Sequence, residues 1–361
     1  MLINSDNIQK IAFGSLLLGG GGGGDIREGI ETAIESLKIG PVEIISLSEI
    51  TEQDGVILTI SGVGSPASET AYYSKDAYKR ILALIHSHLD EKIIGLIPCE
   101  MGGSSSFEPF IPSALLNIPV INSACDGRAH PFGIMGSLGL ERHKNNTIQA
   151  GAGGRKENNT YVEVLLSGSI EATSDLIRNT ADKAGGAVAV ARNPVSLEWL
   201  KESGATDAYS LANKLGEAYL SSDTPEEKAA SVCSVIDGSI ICCGYVSDYT
   251  ISTENALDNG HFTIKSEGDT YKLYFFNEYM ALEKNSERIN TFPDLIATLD
   301  AETGEILTTP QIYNGRKVIV ITAPKEKMIL GKGLKYRSTY SRIEEILGIN
   351  IQEYISDIFL D

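Results

Sequence analysis

Two short segments carry residues whose types and spacing could do acid–base chemistry. The first is Pro98-Cys99-Glu100-Met101-Gly102-Gly103-Ser104, which directly follows the apolar run Ile93–Ile97. A carboxylate just past a buried strand is placed to act as a general base. Gly102 and Gly103 beside it are expected to expose N–H donors to a developing oxyanion, with Ser104 as a polar contact. The second is Asn122-Ser123-Ala124-Cys125-Asp126-Gly127-Arg128-Ala129-His130-Pro131, which follows the apolar stretch Pro119–Ile121. Arg128 is suited to clamp a carboxylate or a polarised carbonyl, and Asp126 or His130 to supply a proton. Cys125 would be a nucleophile only if a neighbour lowered its pKa, and is read as an inert buried thiol. Ligands of open parallel sheets bind beyond the carboxyl ends of the strands. Glu100 and Arg128 are therefore expected to open onto one shared pocket.

Further contacts are expected from the run Gly19–Gly24 and from the C-terminal half. Gly22, Gly23 and Gly24 read equally well as a tight turn or as a loop that touches substrate. A nucleotide loop is disfavoured. No Lys-Ser or Lys-Thr stands in the P-loop position, the glycines follow a helix and not a strand, and Asp25 and Glu28 would repel a phosphate at the next helix N-terminus. Asn277 and Glu278 end one apolar strand and Asp294 follows Phe292-Pro293, so all three are candidate cleft residues as well as candidate turn residues. Cys242-Cys243 sits mid-strand and reads as packing.

The elements that must position these groups follow from periodicity. Ser5 reads as the N-cap of a first helix that stops at the glycines, and Asp25, with Glu28, as the cap of a second. Val42–Leu47, Val56–Ile60, Ile93–Ile97 and Pro119–Ile121 read as buried strands, with helices near 75–89 and 112–116 and a further strand at Tyr161–Leu166. Alternating strands and helices predict an α/β N-terminal domain with a mostly parallel sheet and flanking helices. A helical stretch, Glu171 to about Cys233, is broken by the strand-like Ala187–Ala191. After Asp237 the pattern turns to β: Ser239–Val246, Phe262–Lys265, Tyr271–Phe276 and Lys317–Ile321, with turns expected at Asn259-Gly260, Gly268-Asp269 and Asn314-Gly315. The division is placed between residues 1–167 and 168–361, the second part being a helical segment followed by a β-rich domain.

Composition narrows the function classes. With 361 residues, 42% hydrophobic and 22% charged, the chain can bury two cores and is not of disordered composition. A formal charge of −18 makes nucleic acid a poor partner. No apolar run reaches the length of a membrane span, and Met1–Asp6 lacks a basic region followed by an apolar stretch, so a cytoplasmic protein is expected. Five cysteines without a CxxC pair read as reduced thiols, and His86, His88, His130, His143 and His261 are scattered. No metal or other cofactor is expected.

In order along the chain, Leu18-Gly19 through Gly24-Asp25, Pro98-x-Glu100-x-Gly102-Gly103, Gly127-Arg128-Ala129-x-Pro131, Asn277-Glu278, Pro293-Asp294-Leu295-Ile296 and Gly331-x-Gly333-Leu334 closely resemble the landmarks of the DUF917, or S-methyl-thiohydantoin desulfurase, family. The resemblance spans nearly the whole chain. It implies an N-terminal α/β domain, a β-rich C-terminal domain, and a link to hydantoin metabolism alongside hydantoinase- or oxoprolinase-type enzymes. Asn122 and Ala124 stand where the family often has Asp-x-Asp, and His130 replaces the usual aromatic. A role needing both aspartates lacks them here. The resulting expectation is a hydrolase of a small cyclic amide or thiohydantoin-like ring, with a small-molecule substrate and Glu100 activating water. The alternative is a non-catalytic binding or regulatory subunit of a hydantoinase-like assembly, and a homo-oligomer fits either.

Overall fold

The computed structural model describes residues 1–50, 54–64, 72–142, 147–254 and 257–361; His143 lies outside them. The N-terminal half folds as α1 (Ser5–Leu18), α2 (Ile26–Ile39), β1 (Ile44–Ile45), β2 (Val56–Gly64), α3 (Lys75–His86), β3 (Ile93–Pro98), α4 (Phe110–Leu116), β4 (Val120–Ile121), β5 (Ser123–Ala124), β6 (Thr147–Gly153) and β7 (Val162–Gly168). Next come α5 (Ile170–Lys183), β8 (Ala187–Val195), α6 (Leu197–Ser203), β9 (Ala205–Thr206), α7 (Ala208–Leu220) and α8 (Pro225–Val235). The C-terminal half contains β10 (Ser239–Glu254), β11 (Leu257–Ser266), β12 (Asp269–Phe276), β13 (Glu278–Lys284), β14 (Glu287–Thr291), β15 (Leu295–Asp300), β16 (Ile306–Leu307), β17 (Lys317–Ala323) and α9 (Ser341–Leu347).

The first sheet has seven strands in the order β1-β4-β3-β2-β8-β6-β7. β1, β4, β3 and β2 are parallel; β8, β6 and β7 extend the sheet antiparallel. β8, whose apolar run interrupts the helical stretch, thus inserts between β2 and β6. Its side chains alternate as a strand covered on both faces must. Ala189 and Ala191 pack with α3, while Val188 and Val190 pack with α5. The second sheet is antiparallel, eight strands in the order β14-β13-β12-β11-β10-β17-β15-β16. The unbroken apolar run of β17 is explained the same way. Ile319 and Ile321 join the core that contains α1, α7 and α8, and Val318 and Val320 join the core within the β-rich half. α1 therefore contributes to a core shared by both halves.

Three local readings change. Asn4, not Ser5, caps α1, its side chain accepting from the N–H of Asp6 and Asn7. Asp25 caps α2 by accepting from Arg27 N, with no reciprocal bond from Glu28. Asn259-Gly260 is not a turn but lies inside β11, paired with Phe276 and Phe275. Gly260 is used for close packing, since a Cβ there would meet Thr250 O at 2.0 Å. Among the described residues no helix is long and apolar enough to cross a membrane.

Candidate functional site

The loops that leave β3 and β4 continue side by side. Cys125 N and Asp126 N donate to Pro98 O and Cys99 O, and Glu100 and Asp126 form a parallel bridge. They open onto a cleft of about 1060 Å³ between the two halves. Of the expected site residues, Gly22, Gly23, Gly24, Glu100, Ser104, His130, Asn277 and Glu278 line it.

The glycine run is a spacer between the halves. Tyr279 N donates to Gly20 O and Thr309 N to Gly21 O, while Ser104 N and Ser105 N donate to Gly23 O. A Cβ on Gly22 would sit 2.0 Å from Glu278 Oε1. Gly23 has φ +77°, and a Cβ there would meet Gly102 Cα at 2.5 Å. Only a residue without a side chain fits both demands. Gly23→Ala is expected to lower stability by about 2–4 kcal/mol through strain and overpacking, read as a lower urea midpoint.

Glu100 is held on the cleft floor. Its Oε2 accepts from His130 N at 3.1 Å and lies 3.6 Å from His130 Nδ1. Burial pushes this carboxyl above the usual range. Glu278 is raised to about 8 by burial and then by Glu100. His130 is pushed up to about 10: burial opposes its charge, but the Cys99 thiol and the Glu100 carboxylate outweigh that cost. The cleft therefore faces a substrate with an imidazolium–carboxylate pair beside a second, neutral carboxyl. Arg192 on β8, Arg178 on α5 and Arg342 on α9 also line it, and among the described residues none of the three is ion-paired with a carboxylate.

Five expected residues do not line the cleft. Arg128 is fully buried beneath it. Its Nη1 donates to Pro293 O at 3.0 Å and to Asp294 O, and its guanidinium lies 4.4 Å from the Phe292 ring centroid. The expectation that Arg128 and Glu100 open onto one pocket is thus not met: Arg128 holds the 292–294 turn. Asp126 is fully buried and accepts from Gly331 N at 3.1 Å, and burial raises it to about 7. Gly102 N donates to Ser106 Oγ at 3.0 Å, so it is not a free oxyanion donor. Gly103 packs against Gly24 O and Ile26 N. Asp294 is a turn carboxylate, accepting from Thr291 N, Asn290 Nδ2 and Lys325 N. The Gly23 and Gly24 N–H groups, which lack a protein acceptor among the described residues, are better placed as donors.

Cys99, Glu108 and Arg192 were not singled out by sequence reasoning, yet all three line the cleft. Residues 99 and 100 are sequence neighbours, which on a regular strand would face opposite ways. The chain bends at Cys99, immediately after β3, and both side chains reach the cleft. Glu108 accepts from Gly62 N at 2.5 Å, and burial holds it well above the ordinary range. Among the described residues no group of three or more His, Cys, Asp or Glu is arranged to hold a metal ion.

Comparison with known proteins agrees with this architecture. A crystal structure of a protein from Chromobacterium violaceum, determined as a structural genomics target, superposes with a TM-score of 0.71 at 15% identity over 96% of both chains, which shows the fold. A comparison with curated protein sequences finds no match. Residues 6–160 match the S-Me-THD-like N-terminal domain and residues 169–337 the S-Me-THD-like C-terminal domain. With these two matches covering nearly its whole length in the expected order, the chain belongs to the S-Me-THD-like family.

Proposed function

We propose that this protein is a hydrolase of a small cyclic amide or thiohydantoin-like ring, with Glu100 as the base that activates water. The observation that carries this reading is the pair of carboxyl groups, the partly buried Glu100 beside His130 and the buried Glu278, lining one cleft. Two titratable groups whose surroundings separate their protonation are the usual arrangement for an acid and a base. Glu100, countered by the His130 imidazolium, accepts the proton of the attacking water. Glu278, kept neutral by burial up to about pH 8, donates a hydrogen bond to the ring atom on which negative charge collects. Gly23 and Gly24 N–H groups add to that stabilisation. Arg178 and Arg342 take over the orienting role first given to Arg128, and suit a ring bearing an anionic substituent. The partner is the small-molecule substrate, and the setting is the reducing cytoplasm.

The test is a turnover panel of pure protein with hydantoins, 2-thiohydantoins, S-alkylated 2-thiohydantoins and unrelated cyclic amides, followed by thiol release and ring-product chromatography. Turnover of at least one ring class, with no stabilisation by nucleotides in thermal shift, is expected. Binding of these rings without turnover would overturn the hydrolase reading in favour of a binding subunit.

A further inference from the structure

Among the described residues Arg192 is a buried cation without a carboxylate ion pair. It lies on β8 with 5% of its surface exposed, its Nε bonds to no group, and no carboxylate forms an ion pair with it among the described residues. Glu108, the carboxyl that faces it, is kept neutral by burial. The contact Arg192 does make is from Nη2 to Cys99 Sγ, at 3.0 Å. A buried charge is tolerated when an opposite charge meets it, and the group in place to do so is a Cys99 thiolate. A second cation points the same way: His130 Nε2 lies 3.9 Å from the same sulfur. The other ring nitrogen, Nδ1, has no hydrogen-bond partner and stands 3.6 Å from Glu100 Oε2. Cys99, His130 and Glu100 thus form the nucleophile, proton carrier and orienting carboxylate of a nucleophilic site, spaced as such groups often are before substrate tightens them.

We infer that Cys99 is a covalent nucleophile of this cleft, attacking the ring carbon of the substrate class proposed above; an S-alkylated ring serves as the probe because its leaving group is a readable thiol. This rests on the hydrolase reading and adds its nucleophile. Charge on the sulfur is consistent with its surroundings. The Cys125 thiol as donor, Arg192 and His130 together hold the Cys99 thiol well below its usual range, against the opposing effect of burial. Cys125 itself stays neutral, raised by burial, with its sulfur 3.1 Å from Thr59 Oγ1.

The chemistry balances without an oxidant. The thiolate pair forms a Cys99–carbon bond while the C=N π pair moves onto the ring nitrogen, which receives a hydrogen bond from Glu278. That pair returns, the carbon–S-alkyl bond breaks, and the departing alkanethiolate takes the proton from His130 Nε2. Water then adds to the same carbon as Glu100 accepts its proton. The C=N pair again moves out and back, Cys99 leaves as thiolate, and the resulting hydroxy-imine passes its hydroxyl proton to the ring nitrogen to become the lactam carbonyl. Exchange with solvent returns the proton from Glu100 and restores the His130 imidazolium. The sum is one water consumed, one carbon–sulfur bond replaced by a carbonyl, and one thiol released.

The experiment compares wild type, Cys99→Ser and Glu100→Gln, each first checked for an unchanged melting transition, on an S-methylated 2-thiohydantoin. Glu100→Gln is expected to release a single burst of about one thiol per protein and then stall. Intact-protein mass spectrometry would find the ring adduct on Cys99 in that variant. Cys99→Ser is expected to lose at least about 1000-fold in thiol release and to form no adduct. A Glu100→Gln protein with neither burst nor adduct, or Cys99→Ser retaining wild-type turnover, overturns the nucleophile while leaving hydrolysis by direct water attack standing. A second readout needs no turnover. Iodoacetamide should modify Cys99, 5% exposed, at a rate that changes little between about pH 6 and pH 9, and His130→Gln should make that rate climb with pH. A wild-type Cys99 rate that climbs at least about 10-fold over that range overturns the thiolate, whatever the substrate panel gives.

Discussion

Glu100→Gln is expected to lower steady-state kcat by about 100- to 10,000-fold, the usual contribution of a positioned general base, with KM falling in step as the Cys99 adduct accumulates. The amide keeps the shape and can still accept from His130 N, which lies 3.1 Å from the carboxylate in the native protein. What it loses is the ability to take a proton. The pH profile separates this from a structural effect. A base works when ionised, and burial raises the Glu100 carboxyl, so the acid limb of wild-type kcat should lie above the ordinary glutamate value of about 4.3. The residual activity of the variant should lack that limb. Stability moves the other way. A carboxyl raised on folding binds its proton more tightly in the native state, so its contribution is full below the unfolded pKa and is lost as pH rises through the folded one. Removing the charge therefore costs nothing at pH 8, and the variant should melt there at or above the wild-type temperature. Retained turnover, or a collapse of the melting temperature, would end the assignment.

Arg128→Met should instead be a folding lesion. The guanidinium is fully buried, bonded to the carbonyls of Pro293 and Asp294, and stacked on Phe292. The acidic groups that favour its charge are Asp126, then Glu278 and Asp294. Methionine fills much of the volume but supplies no donor, leaving buried carbonyls unpaired and the acidic groups without their cation. Breaking such an arrangement costs about 3–5 kcal/mol, a drop of about 4–7 °C for a chain of 361 residues. Arg128→Lys should recover only part of it: an ammonium can donate to both carbonyls, as Nη1 does alone, but it cannot lay a flat guanidinium on the Phe292 ring. An Arg128→Met protein of native stability but low turnover would return Arg128 to the substrate.

These two residues also show why part of the site could be read from the chain and part could not. Glu100 was identifiable because a carboxylate just after a buried apolar strand is constrained by the sheet itself: β3 ends at Pro98, and the ligand side of a parallel sheet lies beyond that end. Arg128 sits in the equivalent loop after β4 but points below the floor. Nothing in its neighbours' identity marks the partner, a turn about 165 residues away in the chain. Gly102 and Gly103 read from the sequence as free N–H donors, but glycine is needed there for the close approach of the Gly23 and Gly24 backbone, which leaves them no opening to the cleft.

Local pattern by itself determined the two-part α/β and β-rich organisation, the types of the elements with a clear period, and the loops where chemistry belongs. Side-chain periodicity and strand-end geometry act over a few residues. Which side chains of those loops meet a substrate was decided only by tertiary structure. The bend after β3 turns Cys99 and Glu100 to the same side. β8 crosses from beyond the expected division to bring Arg192 against Cys99, and β13 brings Glu278 against the glycine loop. Charge states follow from the same assembly, because burial and the approach of distant ions set them, and neither is encoded within a short stretch of chain.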